Sequence, residues 1–262
     1  MLEIKNLNIE FHDKSVPETV VYDFNLQMTT GEIVGIVGES GSGKTMTALA
    51  VAGLLNRKDM KKNGHIYFQG MDILECSRKE LRTIQGNDIS MIFQEPMVSL
   101  NPVKKIGWQV EECLLLHTDL GKEERKQKAL SLLEEVGLDQ PERVYRSYPH
   151  QLSGGMRQRV MIAAAMICEP RLLIADEPTT ALDVTIQSQI IQLLKKMNEE
   201  RKTAILFISH DLSLVKKLCH KVIVMQGGYI VEEGQVDEIF HHPKEEYTKE
   251  LIAAIPKFEK LK

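Results

Sequence analysis

The chain has 262 residues, and its 33 lysines and arginines against 37 aspartates and glutamates give a formal net charge of −4. This balance excludes a global basic field for nucleic acid. The four cysteines lack the paired spacing of a metal site or a disulfide framework. The longest apolar run, residues 160–168, is far shorter than a membrane span, and the N-terminus lacks a signal-peptide pattern. We therefore expect a cytosolic protein, unless a partner holds it at a membrane.

The N-terminal third is rich in strand patterns. Alternating apolar residues over 2–11, with one slip of phase, predict a strand with a bulge. Clean alternation over 20–28 predicts a second, half-buried strand. The Asn63-Gly64 pair predicts a turn that leads into a further strand over 65–69. Together these patterns indicate an antiparallel layer beside whatever site the next motif forms.

A glycine-rich loop lies between an apolar strand over 33–37 and a helix predicted over 46–55. Its sequence fits G-x-x-x-x-G-K-[ST], and the strand–loop–helix context is the one that this phosphate-binding motif requires. Glycines let a phosphate chain lie against backbone N–H groups, and the helix directs its positive end at the anion. Lys44 is predicted to contact the β- and γ-phosphates, and the Thr45 hydroxyl to bind Mg²⁺. The predicted nucleotide-binding residues are Gly38, Glu39, Ser40, Gly41, Ser42, Gly43, Lys44, Thr45 and Met46.

The middle of the chain changes from strands to helices and then back to alternation. Ser77 and Glu80 form a capping box for a short helix, and a strand over 89–93 ends at Gln94. Residues 101–148 contain helical patterns and no strand, whereas strands at 172–175 and 204–209 flank an amphipathic helix over 184–200. A Gly227-Gly228 hairpin follows. The pattern predicts an α/β fold with a mostly parallel sheet, a helical insertion and an antiparallel flank.

Two adjacent carboxylates end the strand at 172–175. Ligands bind at the carboxyl ends of parallel strands, so Asp176 is predicted to face the Mg²⁺ at Thr45, and Glu177 to polarise the attacking water. His210 and Gln94 end neighbouring strands at the same edge. His210 would sense the γ-phosphate, and the Gln94 amide would contact Mg²⁺ or the water. Taken singly, either residue is also compatible with a structural role.

A second anion site is predicted where another helix begins. Ser153, Gly154 and Gly155 precede or open a helix over 156–168, with Leu152 and Met156 on either side. One ATP does not need two such loops. We therefore expect a dimer in which this loop covers an ATP bound by another subunit.

These motifs, in this order, resemble those of the ABC transporter ATPases over nearly the whole chain. The loop at 38–45 corresponds to the Walker A motif, Gln94 to the Q-loop, 152–156 to the signature, 172–177 to Walker B, 181–183 with Asp183 to the D-loop, and His210 to the H-switch. The resemblance implies a P-loop NTPase (RecA-like) core with ATP and Mg²⁺ as cofactors. It also implies that Phe11 stacks on adenine, although Phe11 also fits a strand-end core residue.

The resemblance also implies a domain organisation. We expect one ABC ATPase domain over residues 1–262. Its catalytic core and antiparallel flank would occupy 1–94 and 156–235, a helical subdomain 95–155, and a short C-terminal helical tail 236–262. The segment from 94 to 101 joins the sheet edge to the helical subdomain, so it is expected to carry the coupling to a partner.

Within the family, the chain resembles the oligopeptide/dipeptide/nickel importer branch. IFQEPMVSLNP at 92–102, YPHQ at 148–151 and ADEPTTALDV at 175–184 carry this similarity. It implies membrane permease subunits, a second ABC ATPase subunit that is identical or related, an extracytoplasmic binding protein acting indirectly, and a peripheral location on the cytoplasmic face. Relatives often have HPYT where this chain has EEYT at 245–248, and the printed sequence stops at Lys262 before any cysteine-bearing extension. These departures favour a nickel or metallophore cargo over a peptide.

Two other functions use the same cassette. One is a soluble ABC-type ATPase acting on nucleic acid or the ribosome; long coiled-coil or zinc-binding insertions, or a second cassette, are typical of such proteins and are not found in this sequence. The other is a regulatory nucleotide-binding subunit with little turnover, against which the presence of both Glu177 and His210 argues. We expect an ATP-hydrolysing transport subunit without a nucleic-acid partner.

Overall fold

A computed structural model describes residues 1–12, 16–57, 59–94, 99–180 and 182–255. The described strands are β1 (Leu2–Phe11), β2 (Glu18–Met28), β3 (Ile33–Val37), β4 (Met60–Phe68), β5 (Met71–Asp72), β6 (Ile89–Ile92), β7 (Leu172–Asp176), β8 (Ala204–Ile208), β9 (Lys221–Gln226) and β10 (Tyr229–Gln235). The described helices are α1 (Lys44–Val51), α2 (Arg78–Ile84), α3 (Ile106–His117), α4 (Lys122–Glu135), α5 (Pro141–Arg146), α6 (Gly154–Met166), α7 (Val184–Arg201), α8 (Leu212–Leu218), α9 (Val236–His241) and α10 (Glu246–Ala253), with a 3₁₀ turn at Pro149–Gln151.

The central sheet has six strands in the order β10-β9-β3-β8-β7-β6. Neighbours from β9 to β6 pair in parallel, and β10 adds an antiparallel edge. Every residue of β3, β7 and β8 is buried, as expected for parallel strands covered on both faces. This confirms the α/β expectation. It also brings the carboxyl ends of β3, β6, β7 and β8 to one edge of the sheet.

The second sheet is antiparallel, in the order β2-β1-β4-β5. The register of β1 slips against both neighbours, so the predicted bulge is present. The turn predicted at Asn63-Gly64 is wrong, because both residues lie inside β4. Gly64 has φ +96°, and a Cβ there would lie 2.3 Å from the carbonyl oxygen of Asn6. The Asn–Gly pair therefore lies where β4 approaches β1 closely, beside the bulge.

The helical insertion is continuous with the sheet. One cluster of buried side chains contains Val110 and Leu133 from α3 and α4 together with Leu173 and Phe207 from β7 and β8. The helix α6 packs on α3, α4 and β6, so it connects the insertion to the core. The division into residues 1–94 and 156–235, 95–155 and 236–262 stays a prediction.

Two helices begin or end at residues other than those predicted from the sequence. The helix predicted over 46–55 begins at Lys44 and ends at Val51, and the helix predicted from 156 begins at Gly154. Ser77 and Glu80 form the predicted capping box. The sequence patterns did not predict α8, which begins after Asp211, whose carboxylate accepts the Ser213 N–H. Within the described part of the chain, none of the helices has both the length and the apolar character needed to cross a bilayer.

Candidate functional site

The glycine loop is shaped by two close approaches of the backbone. Gly38 has φ +147°, and a Cβ there would lie 2.1 Å from the carbonyl oxygen of Met225 in β9. Gly43 has φ +94°, and its Cβ would lie 2.5 Å from the carbonyl oxygen of Val20 in β2. Any side chain at either position would collide with backbone. Gly43 is also the N-cap residue of α1, so the loop ends at the positive end of that helix.

Lys44 lies folded over the loop and is only 5% exposed. Its Nζ donates to the carbonyl oxygens of Gly38 (2.8 Å) and Glu39 (2.7 Å) and to Ser42 Oγ (3.3 Å). Burial lowers the pKa of Lys44, against the attraction of Glu177 and Asp176, which raises it. The loop thus holds a buried cation that an incoming phosphate can redirect from its three internal acceptors.

Thr45 and Asp176 are brought together as predicted. The Thr45 hydroxyl donates to Asp176 Oδ1 at 3.3 Å, across the gap between α1 and the end of β7. Asp176 is 3% exposed, and its burial, with the nearby charge of Glu177, raises its pKa despite Thr45 and Lys44. A cation at this position would favour the ionised carboxylate. A hydroxyl beside a carboxylate is the protein donor set that Mg²⁺ uses when substrate phosphates and water complete its shell.

Glu177 is the centre of a hydrogen-bonded group at the sheet edge. Its Oε2 accepts from Gln94 Nε2 (3.0 Å) and Thr180 Oγ1 (2.8 Å) and lies 3.2 Å from His210 Nδ1. Its backbone has φ +46°, and its N–H donates to the Ile208 carbonyl of β8. The other carboxylate oxygen, Oε1, makes no hydrogen bond to the described residues. Among the two carboxylate oxygens, Oε1 is therefore the one left for a further hydrogen-bond donor.

The structure therefore brings into contact three residues that the sequence analysis predicted at the ends of three strands. Gln94 follows β6, Glu177 follows β7, and His210 follows β8. Thr180 was missed by the sequence patterns. The sequence signal for Thr180 is its place three residues after Glu177. A turn of that length brings the first and last side chains close together.

The loop at 152–156 presents a contrasting arrangement. Ser153 caps α6 by accepting the Met156 N–H at 3.3 Å, and Gly154 opens that helix. Ser153 and Gly154 are exposed, and Leu152 is buried. Gly155 lies against Ile186, near the start of α7, which Asp183 caps. Ala181 lies outside the described residues. The described hydrogen bonds of Ser153 all remain within its own turn.

Phe11 lies at the end of β1, half-buried, and the Arg57 guanidinium lies 5.3 Å from the centre of its ring. A cation over an aromatic face is a favourable contact, and it is made here by the chain itself. The assignment of Phe11 to adenine stacking stays a prediction.

Comparison with known proteins agrees with this geometry. The family model described as ABC transporter matches residues 21–180. The chain is 46% identical over 258 residues to the dipeptide transport ATP-binding protein DppD of Escherichia coli (strain K12), covering 98% of this chain and 79% of DppD. It is also 46% identical to the oligopeptide transport ATP-binding protein OppD of Bacillus subtilis (strain 168), covering 99% of this chain and 73% of that protein.

Solved structures give the same fold. The dimeric ATP-binding cassette MJ0796 in a post-hydrolysis state with bound ADP and Pi superposes with a TM-score of 0.81 at 30% identity, covering 90% of this chain and 99% of that one. CbiO1 from Clostridium perfringens, part of the ABC transporter complex cbiONQ, gives a TM-score of 0.76 at 28% identity, covering 92% and 90%.

The parallel sheet, the glycine loop with its buried lysine and the strand-end carboxylates define an ATP-binding cassette with a P-loop NTPase core. The chain belongs to the ABC transporter family. It is an ATP-hydrolysing subunit of that family, and the comparisons favour this function over a soluble ABC-type ATPase acting on nucleic acid or the ribosome.

Proposed function

We propose that this chain couples ATP hydrolysis to the uptake of peptides through a membrane permease. The observation that carries the proposal is the Glu177 group beside the Thr45–Asp176 pair, because it places a positioned carboxylate next to a phosphate-binding loop. The names of the relatives DppD and OppD supply the cargo class.

ATP would bind with its phosphates on the loop from Gly38 to Met46. Lys44 would exchange its internal acceptors for phosphate oxygens, which gain a buried cation. Thr45 and Asp176 fit Mg²⁺, and Gln94 would add an amide oxygen to the same site. Bound there, Mg²⁺ would neutralise charge on the phosphates. Phe11 would stack on adenine after Arg57 moves or shares its ring.

Glu177 would act as the general base. Gln94 and Thr180 donate to its Oε2, and His210 Nδ1 lies beside the same oxygen. The carboxylate is thus oriented before the substrate arrives, and Oε1 is left to accept the proton of the attacking water. His210 and Gln94 would position this carboxylate and report the presence of the γ-phosphate. A positioned base of this kind argues against a regulatory subunit with little turnover.

The loop with Ser153 would complete a second subunit's site. Ser153 and Gly154 are exposed at the N-terminus of α6, where backbone N–H groups would be available to an anion carried by the partner. The partner ATPase would be a second copy or a related chain, with Asp183 at the same junction.

A groove beside Gln94 supports a permease contact. It has a volume of about 290 Å³ and includes Leu54, Phe93, Ser99 and Leu100 among its lining residues. Leu54 and Phe93 are each 41% exposed, so the groove offers apolar surface to a partner. Of the segment proposed to couple this groove to the site, residues 95–98 lie outside the described part. Docking here would hold the chain on the cytoplasmic face of the membrane.

Uptake by cells that lack the gene tests the cargo. Cells complemented with the wild-type chain should take up dipeptides, and cells complemented with Lys44→Ala should not. Equal peptide uptake in both, with nickel or metallophore uptake lost in the variant, would replace peptide as the cargo. The relatives with peptide names lend no support to the nickel or metallophore preference drawn from the two sequence departures.

A further inference from the structure

The C-terminal tail contacts the phosphate loop directly. Tyr247, near the start of α10, accepts the backbone N–H of Glu39 with its hydroxyl oxygen at 3.1 Å, although the two residues are 208 positions apart. Tyr247 is half-buried and packs against the main hydrophobic cluster. Burial raises its pKa, although the hydrogen bond from Glu39 lowers it, so the phenol stays neutral at pH 7.

The bonded N–H belongs to a peptide group that also accepts a hydrogen bond from Lys44. The Gly38 carbonyl accepts Lys44 Nζ at 2.8 Å, and the Glu39 N–H on the same peptide donates to Tyr247. Gly38 itself lies against the Met225 carbonyl. One rigid peptide plane is therefore held from both sides, by Lys44 and by the tail.

The tail is itself firmly anchored. Glu232 of β10, 8% exposed, accepts the backbone N–H groups of Lys244 (2.8 Å) and Glu245 (3.2 Å) immediately before α10. Burial opposes its charge, but the nearby Thr248 hydroxyl and these two N–H donors lower the pKa of Glu232 overall, so it is ionised at neutral pH. Thr248 is fully buried. The contacts of Glu232 and the burial of Thr248 thus fix the position of the helix turn that carries Tyr247.

We propose that Tyr247 is a positioning residue for ATP binding, which orients the Gly38–Glu39 peptide and thereby the loop that holds Lys44. The inference rests on the proposed binding of ATP at this loop. It assigns a role to the tail segment at 245–248, in which the side chains of Tyr247 and Thr248 are the ones that enter the fold. A loop orientated in advance loses less conformational freedom when the phosphates bind.

The test compares Tyr247→Phe with Tyr67→Phe in the full chain. Both substitutions remove one phenol oxygen, but the Tyr67 hydroxyl makes no hydrogen bond to the described residues. We expect Tyr247→Phe to weaken ATP affinity roughly 2- to 10-fold, the range of one neutral hydrogen bond, and to raise KM with kcat nearly unchanged. Tyr67→Phe should match the wild type. Calorimetric titration with ATP, steady-state hydrolysis and thermal melting provide the measurements.

Each outcome decides the inference. ATP affinity and KM that are equal in Tyr247→Phe and Tyr67→Phe would overturn it, and so would a lowered melting temperature without a change in KM. If Tyr247→Phe does not fold, Glu232→Gln decides instead, since loosening the anchor should weaken ATP binding in the same range. Lys44→Ala distinguishes failure of the proposed ATP site from failure of the proposed role of Tyr247. Unchanged ATP binding there refutes the site itself, whereas lost binding there with an unaffected Tyr247→Phe refutes only the role of Tyr247.

Discussion

The phosphate loop and the loop at 152–156 are both glycine-containing helix starts, but the fold treats them differently. The base of the phosphate loop is enclosed: Lys44 is 5% exposed, Gly38 and Gly43 lie close to the backbone of β9 and β2, and Tyr247 in the tail holds the Gly38–Glu39 peptide. The tip of the loop, residues 39–41, is exposed. At the other loop, Ser153 and Gly154 are exposed, and Ser153 bonds within its own turn. The exposed loop is accessible to a ligand carried by another molecule, as the proposed composite site requires.

The largest effect should come from Glu177→Gln, which changes the carboxylate beside the phosphate loop. Gln keeps the size and can still accept a hydrogen bond, but it cannot take the proton, so single-turnover hydrolysis should fall by about 10²- to 10⁴-fold. ATP affinity should stay the same or rise, because a negative charge near the triphosphate is removed. Size-exclusion chromatography with ATP should show an ATP-bound dimer. Near-normal single-turnover hydrolysis would transfer the base role to another residue, with His210 the first candidate.

Lys44→Ala should produce the next largest change. It removes a buried cation from beside Asp176 and Glu177 and leaves the phosphates without their side-chain donor. The loss of charge-assisted hydrogen bonds predicts ATP affinity about 10- to 100-fold weaker. Calorimetry measures this, with Lys79→Ala on the exposed face of α2 as the matched control. Equal ATP binding by both variants would refute the loop assignment.

Ser153→Arg tests whether the loop at 152–156 acts on the ATP site of another subunit. Alone, the variant should lose hydrolysis, because Arg blocks both composite sites of its dimer. Mixed with Lys44→Ala under conditions in which both dimerise, it should recover up to about a quarter of wild-type turnover, since half of random dimers have one intact site. Normal hydrolysis by Ser153→Arg without any partner would disprove the composite site.

The smallest effect on hydrolysis is expected at the groove beside Gln94. Leu54→Asp places a charge on an exposed apolar wall, so peptide uptake in complemented cells should fall about tenfold, by loss of an apolar contact of roughly 1–2 kcal/mol. Basal hydrolysis of the isolated chain should stay within about twofold, because Leu54 is not one of the residues that position Glu177. Val16→Asp is the control, at a residue 72% exposed on the antiparallel flank. Cross-links from the permease to the Tyr229 hairpin, and none to the groove, would contradict this docking site.

The amino-acid sequence by itself determined the parts of the site that are contiguous. The loop from Gly38 to Thr45, the carboxylates at the end of β7 and the cap at Ser153 are local patterns, because neighbouring residues and glycine backbone freedom fix their geometry. The alternation of strand and helix likewise determined the α/β class. The Asn63-Gly64 pair shows the limit of local patterns, since the same residues that form turns also fit a bulge opposite Asn6.

Only the tertiary structure decided which distant groups meet. Gln94 and His210 reach one oxygen of Glu177 because β6, β7 and β8 are neighbours in the sheet, although 83 positions separate Gln94 from Glu177 in the chain. Tyr247 reaches Glu39 because Glu232 fixes the start of α10. Such contacts depend on where whole elements pack, and a hydrogen bond between residues 208 positions apart leaves no periodic signal in the sequence.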